Sequence, residues 1–284
     1  MNNDTTDDRY AVVGYPIKQS RSPFIHSMFA RQTGQQLKYQ LLEVAPEYFV
    51  TETRRFFAEG GKGLNVTSPH KQAMFDLVKY RTPRADFAGA VNTVMQTPDG
   101  ELLGDTTDGV GLLKDLRSNL NFELKDKRIL LLGAGGAARG VIAPLLQQQP
   151  QQLVIANRNV DRATQLVTEF QKLGSLTAMS FTDIGVQAFD LIINATSASL
   201  HGEMPPLPTN IVDEKTLCYD MAYGKGDTVF THWAKRLGAA RAVLGWGMLV
   251  EQAAESFFLW RGVRPDTTPV LLALQNPPAL STVD

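Results

Sequence analysis

A glycine cluster and a pair of arginines stand where this chain could hold a phosphorylated nucleotide. Gly133-Ala134-Gly135-Gly136-Ala137-Ala138 follows the apolar run Lys127–Leu132 and opens a stretch of helical pattern. The order fits G-x-G-x-x-G/A. Gly133 permits a tight turn, Gly135 lets backbone approach a pyrophosphate, and Ala138 permits close helix–strand packing. Backbone N–H groups at the helix start then meet the phosphate charge. A glycine cluster alone is also an ordinary turn, and the strand–turn–helix context is what gives it weight. The next strand, Gln152–Ala156, ends in Asn157-Arg158-Asn159, with Arg162 one helical turn beyond Arg158. An NAD site places Asp or Glu there for the ribose 2′-hydroxyl; two guanidiniums suit the 2′-phosphate of NADP instead. Solvated helix-start charges are the commoner fate of such arginines, but their coincidence with the ribose position favours NADP. Asp161, between them, would point elsewhere on a helix.

The N-terminal half carries polar clusters at the ends of predicted strands, where open α/β sheets bind ligands. Ser20 and Ser22 flank Arg21 ahead of a helix, a place for a carboxylate. Asn65-Val66-Thr67-Ser68-Pro69-His70-Lys71 offers the hydrogen-bonding side chains of Asn65, Thr67 and Ser68 together with a lysine. Gly89-Ala90-Val91-Asn92-Thr93 and Gly104-Asp105-Thr106-Thr107-Asp108 add an amide and two carboxylates. Taken singly, each is an ordinary capping or turn cluster.

The elements that must position these groups alternate strand and helix. Strands are predicted at Tyr10–Gly14, Leu37–Val44 and Gly63–Thr67. Helices are predicted at Ser22–Gln32, with Ser22 as cap and Pro23 first, and at Glu47–Glu59 and His70–Lys79. After Leu120 come apolar strands Lys127–Leu132, Gln152–Ala156, Asp190–Asn194, Leu217–Met221 and Ala239–Leu244, then a long helix Met248–Trp260. Pro144 predicts a kink or early end of the glycine-loop helix, and Asn276–Asp284 reads as a frayed tail. The fold class is α/β: an N-terminal open α/β substrate domain plus a Rossmann-type doubly wound parallel sheet.

Composition agrees with that class. The chain has 284 residues and 31.2 kDa, a size for two domains. Hydrophobic residues are 43% and charged residues 20%, which argues against disorder and coiled coil. Twenty-eight basic against twenty-nine acidic residues leave a net charge of -1, so a nucleic-acid partner is disfavoured while a local cationic site is not. Cys218 is the only cysteine, which excludes an intrachain disulfide and a cysteine metal cluster. His26, His201 and His232 lack metal-binding spacing, so no metal is expected. The polar start of the chain has no apolar h-region and no run is long enough to span a bilayer, so a cytoplasmic chain without a membrane partner is expected.

In combination and order, the motifs resemble one family, shikimate dehydrogenase. Gly14-Tyr15-Pro16-Ile17 through Ser20, Ser22-Pro23 and His26 is similar to the family opening G-x-P-I-x-x-S-x-S-P-x-x-H. Asn65–Lys71 is similar to N-V-T-x-P-x-K, and Gly89–Thr93 to G-A-V-N-T. Asn194-Ala195-Thr196-Ser197, Tyr219-Asp220-Met221-Ala222-Tyr223 and Gly245–Gln252 resemble later motifs. Two positions depart: Gln19 stands where the family usually has His, and Thr106 where it has Asn. Thr106 loses an amide beside Asp108.

The resemblance implies NADPH-dependent reversible reduction of 3-dehydroshikimate to shikimate, with Lys71 and Asp108 catalytic. It implies Ser20, Ser22 and Tyr223 near the substrate carboxylate, and Asn65, Thr67, Asn92, Asp108 and Gln252 at the ring hydroxyls. Gly133, Ala134, Gly135, Gly136, Ala137, Asn157, Arg158 and Arg162 would hold NADP, with Met221 and Gly245 near the nicotinamide; core filling is the ordinary role of Met221 and Met248. Lys71 would be the acid/base, with Asp108 orienting the same hydroxyl and favouring charged lysine while desolvation favours the neutral form; the alternative is that Lys71 stabilises the developing alkoxide electrostatically. The expected division is a substrate domain over 1–110, an NADP domain over 111–245, and C-terminal helices over 246–284 returning to the first, as monomer or homodimer. The alternatives are a quinate/shikimate dehydrogenase with relaxed choice and a non-catalytic NADP-binding regulatory module.

Overall fold

The chain folds as two units, seen in a computed structural model that describes residues 7–186 and 188–275. The first unit runs to Thr107 and resumes at Val250; the second spans Asp108–Leu249. The tail expected over 276–284 lies outside the described residues.

The first unit opens β1 (Asp8–Gly14), α1 (Ser22–Thr33), β2 (Leu37–Glu43), α2 (Phe49–Ala58), β3 (Gly61–Val66), α3 (Lys71–Leu77). It continues β4 (Tyr80–Arg81), α4 (Pro83–Ala88), β5 (Thr93–Gln96) and β6 (Leu102–Asp105). The sheet order is β2-β1-β3-β5-β6-β4. The expected parallel pairs exist at β1–β2 and β1–β3, but β5 runs antiparallel to both β3 and β6. The 3-10 turn Pro46–Tyr48 occupies the expected start of α2. Ser22 is not the cap of α1: Arg21 takes that place and Ser22 is the first helical residue. Gly34 ends α1 at φ 67, a left-handed conformation that costs glycine little.

The second unit runs α5 (Asp108–Lys114), β7 (Arg128–Leu132), α6 (Gly136–Gln147), β8 (Gln152–Ala156), α7 (Val160–Phe170), β9 (Leu176–Met179) and β10 (Leu191–Asn194). It continues β11 (Leu217–Asp220), α8 (Val229–Arg236), β12 (Arg241–Leu244) and the first turn of α9 (Trp246–Arg261). All neighbouring strands are parallel, in the order β12-β11-β10-β7-β8-β9. From β7 onward that is the 3-2-1-4-5-6 order of a doubly wound dinucleotide fold.

Its strands read as continuous apolar runs because helices cover both faces. Ile129, Leu131, Leu153, Ile155, Leu191 and Ile193 enter one core, while Leu130, Leu132, Val154, Ala156, Ile192 and Cys218 enter the other. Burial there pushes the Cys218 thiol up to about 12, so it acts as a small apolar group. Pro144 does not end α6, which continues to Gln147. The Gly140 carbonyl, deprived of an N–H at Pro144, lies against Gly109, which has no side chain to clash there.

From Val250, α9 belongs to the first unit, followed by α10 (Thr268–Gln275). Trp260 Nε1 donates to the Val94 carbonyl at 3.0 Å, and Arg261 pairs with Asp8. Gln32 brackets Asp266, donating to its carbonyl and accepting from its N–H. Among the described residues no helix is long and apolar enough to cross a membrane.

Candidate active site

Two loops at the ends of β1 and β3 are joined backbone to backbone: Thr67 N donates to Val13 O and Tyr15 N to Ser68 O. Gly14 makes this possible, since a Cβ there would meet Thr67 Cγ2 at 2.5 Å and the Ser68 carbonyl at 3.3 Å. Ser20 and Ser22 follow, their hydroxyl oxygens 3.2 Å apart. Lys71 is the first residue of α3, and its carbonyl accepts from Val91 N beside Asn92. The preceding His70 is buried and stacked on Phe49, with Nε2 2.7 Å from the Val44 carbonyl. A carbonyl only accepts, so Nε2 carries the proton, and burial lowers the His70 pKa below the ordinary imidazole value.

Asn65, Asn92 and Gln252 are brought together in the first unit. Asn92 Oδ1 accepts from Thr107 N at 2.8 Å, and its Nδ2 donates to Gln252 Oε1 at 3.3 Å and Thr107 Oγ1 at 3.0 Å. Asn65 Nδ2 donates to the Asn92 carbonyl. Three further hydroxyls join this cluster that the sequence reading missed: Tyr39, Thr93 and Ser256. Thr93 ends the Gly89–Thr93 motif, so its place beside Asn92 is a visible sequence signal. Tyr39 and Ser256 carry no local signal.

Asp105, 1% exposed, accepts from Thr82, from the Thr106 N–H and from both forks of Arg84. This fixes the turn that leads to Asp108, the buried first residue of α5 in the second unit. Thr106, at the departure from the family pattern, is buried and contributes its backbone N–H. Gln19 is exposed and donates to the Pro16 carbonyl at 3.2 Å.

His26 sits behind this cluster, stacked on Tyr39 at 4.2 Å and flanked by Phe29, Phe257 and Trp260. Neither ring nitrogen has a hydrogen-bond partner among the described residues. Burial pushes the imidazole down to about 3, with the Asn65 side chain a smaller opposing influence. The unfolded chain therefore binds a proton that the folded chain refuses between about pH 6.5 and about 3. The stability due to neutral His26 is complete above that window and is lost as pH falls through it. Going from pH 7 to 5, wild type should lose about 2 kcal/mol more than His26→Phe. Urea melts at the two pH values measure this, and equal losses would show that His26 is not held neutral.

In the second unit, Gly133 turns at φ +103 with its N–H on the Ala156 carbonyl, and its absent side chain lets the Ala195–Thr196 crossing pass. Gly135 caps α6 and Gly136 begins it; both are exposed, and a Cβ on either would meet nothing within 4 Å. That is an open backbone cradle at a helix N-terminus, which fits a pyrophosphate. Ala134 is half-buried beside it and Ala137 exposed. At the end of β8, Asn157 Nδ2 donates to the Asn159 carbonyl, and Asn159 caps α7. Arg158 and Arg162 are exposed and make no ion pair among the described residues. Cations are disfavoured at a helix start, where the N–H dipoles point outward. Unpaired guanidiniums held there fit an anionic 2′-phosphate.

Met221 and Gly245 adjoin. A Cβ on Gly245 would lie 2.5 Å from the Met221 carbonyl, and Gly245 N donates to Ala222 O. Asp220 beneath them is fully buried and accepts from Asn194, Ser199, Thr228 and the Ala222 N–H. Tyr223 packs on Trp246 at 5.0 Å in this unit, whereas Ser20 and Ser22 belong to the first.

Known proteins agree along the chain. Residues 12–94 match the shikimate dehydrogenase substrate binding domain, 115–203 the shikimate / quinate 5-dehydrogenase domain, and 245–275 the shikimate 5'-dehydrogenase C-terminal domain. A shikimate dehydrogenase (NADP(+)) of Aeromonas salmonicida (strain A449) is 56% identical over 95% of this chain and 98% of its own. The chain belongs to the shikimate dehydrogenase family. Among solved structures, an Ael1 enzyme from Pseudomonas putida is similar at TM-score 0.89 and 46% identity, covering 94% of this chain and 98% of that one. Another relative of this shikimate dehydrogenase family member, the shikimate 5-dehydrogenase of Thermus thermophilus in complex with NADP(H) and shikimate, has TM-score 0.83 and 30% identity over 95% and 99% of the two chains.

Proposed function

We propose that this chain catalyses the reversible reduction of 3-dehydroshikimate to shikimate with NADPH. The observation that carries this reading is the similarity to an NADP+-dependent shikimate dehydrogenase along 95% of the chain, with Lys71 and Asp108 both present in the sequence. NADPH, when bound, supplies the hydride. The chain must deliver a proton to the carbonyl oxygen, or neutralise it as it becomes an alkoxide. Lys71 is assigned that task, with its backbone fixed through Val91 and its helix start anchored by His70. Asp108 is assigned to orient the same hydroxyl. Ser20, Ser22 and Tyr223 are assigned to the carboxylate, and Asn65, Thr67, Asn92 and Gln252 to the ring hydroxyls.

Gly133–Ala137 are assigned to the pyrophosphate, Asn157, Arg158 and Arg162 to the 2′-phosphoribose, and Met221 and Gly245 to the nicotinamide. The reading divides the chain into a substrate domain over 1–110, an NADP domain over 111–245 and C-terminal helices over 246–284 that return to the first. A cytoplasmic setting, a monomer or homodimer, and no nucleic-acid partner complete the reading; the net charge of -1 favours the last.

One family model spans both shikimate and quinate activities, which keeps a quinate-using enzyme as the second reading. Absorbance of the nicotinamide, followed with shikimate or quinate and NADP+ or NAD+, separates them. Fast turnover is expected only for shikimate with NADP+. Comparable rates with quinate or NAD+ would establish the second reading, and no turnover with any pair would leave a binding module.

A further inference from the structure

The Asn65 amide is engaged at both ends, by two hydroxyls that no assignment above uses. Its Oδ1 accepts from the Tyr39 hydroxyl at 2.7 Å. Its Nδ2 donates to Ser256 Oγ at 3.0 Å, to the Asn92 carbonyl at 3.2 Å and to Thr93 Oγ1 at 3.2 Å. Because a backbone carbonyl can only accept, the Nδ2 end must face Asn92, and the Oδ1 end then meets Tyr39.

Ser256 lies on α9 with no exposed surface. Its Oγ is 2.8 Å from Thr93 Oγ1 and 3.3 Å from Thr107 Oγ1, and it donates to the Gln252 carbonyl at 3.1 Å. One hydroxyl thus ties the returning helix to β3, β5 and the turn after β6. Thr93 Oγ1 and Thr107 N in turn hold Asn92 Oδ1 at 2.8 Å each. Tyr39 is locked from the opposite side by its stack on His26. Burial raises its phenol pKa well above the usual value, the Ser22 hydroxyl opposing, so Tyr39 stays a donor through the neutral range.

An amide whose orientation is preset binds a hydroxyl without losing rotamer freedom, whereas a half-turn would exchange donor for acceptor. We propose that Ser256 and Tyr39 are positioning residues for substrate recognition, fixing the Asn65 amide from both ends and, through Ser256, the neighbouring Asn92 and Gln252. The proposal rests on the shikimate reading above.

The test compares the full-length wild type, Ser256→Ala and Tyr39→Phe. Rates are measured with shikimate and with shikimate lacking its 4- or 5-hydroxyl, alongside NADP+ affinity by fluorescence and melting temperature. Each variant should raise KM for shikimate about tenfold, the worth of one hydrogen bond. kcat should stay within about twofold and the NADP+ Kd should not move. Preference for shikimate over the deoxy compounds should fall by the same factor, and the double variant should fall short of additivity because both residues act on Asn65.

Folded variants that keep the wild-type KM and preference overturn the proposal. So does an equal KM rise for all three substrates, which general loosening would produce. Should Ser256→Ala not fold, Ser256→Cys and Tyr39→Phe decide the same comparison. Failure of the shikimate reading would show in the wild type as absent turnover, while failure of the positioning claim shows only in variants of an active wild type.

Discussion

Lys71→Ala is expected to lower kcat with shikimate by about 10²–10⁴-fold, the usual worth of a positioned proton donor, while KM moves little. The split follows from what the residue is assigned to do. In the proposed reading the ring hydroxyls fall to Asn65, Asn92 and Gln252, which hydrogen bonds cluster within the first unit, and the carboxylate to Ser20 and Ser22. None of those contacts requires the Lys71 ammonium. Charge appears on the carbonyl oxygen only as the reaction proceeds, so the ammonium acts mainly on the transition state. The comparison of wild type and variant is made across a pH series. An unchanged kcat across the series would remove Lys71 from both roles.

Arg158→Ala combined with Arg162→Ala should weaken NADPH about a hundredfold and leave NADH nearly unaffected. Both side chains are exposed, so their worth is below that of buried pairs and should shrink further with salt. What makes them selective is placement: they flank the Asn159 cap of α7 at the end of β8, with no carboxylate partner among the described residues. Binding measured with both cofactors at two ionic strengths reads the effect. Equal weakening of NADPH and NADH would refute the 2′-phosphate assignment and point to a general loss of the α7 start.

The second unit was nearly legible from the chain alone. Parallel strands covered on both faces must be apolar throughout, so Arg128–Leu132, Gln152–Ala156 and Leu191–Asn194 announce themselves as short dense runs. The glycine loop and arginine pair lie within a few residues of those strands, and local chemistry is what a sequence displays. The exception there is β9, four residues whose last three are only half-buried.

The first unit was less legible. The strands β4, β5 and β6 have two to four residues each, too short for a period to show. Their polar ends, Asn92-Thr93 and Gly104-Asp105, were visible as functional clusters while the strands that carry them were not. Ser22 looked like a cap because Ser before Pro usually is one, yet the backbone of Arg21 already closes the turn.

By itself, then, the sequence determined the dinucleotide unit, the choice of NADP and the residue types proposed for the substrate site. Only the tertiary structure decided how that site is held. Asn65 and Ser256 meet although 191 positions separate them, and Asn92 and Gln252 although 160 do. A hydrogen bond between groups so far apart leaves no periodicity, cap or turn signature in either segment. It exists because β3, β5 and the returning α9 bury their polar atoms together, where each must find a partner or bear the full cost of desolvation.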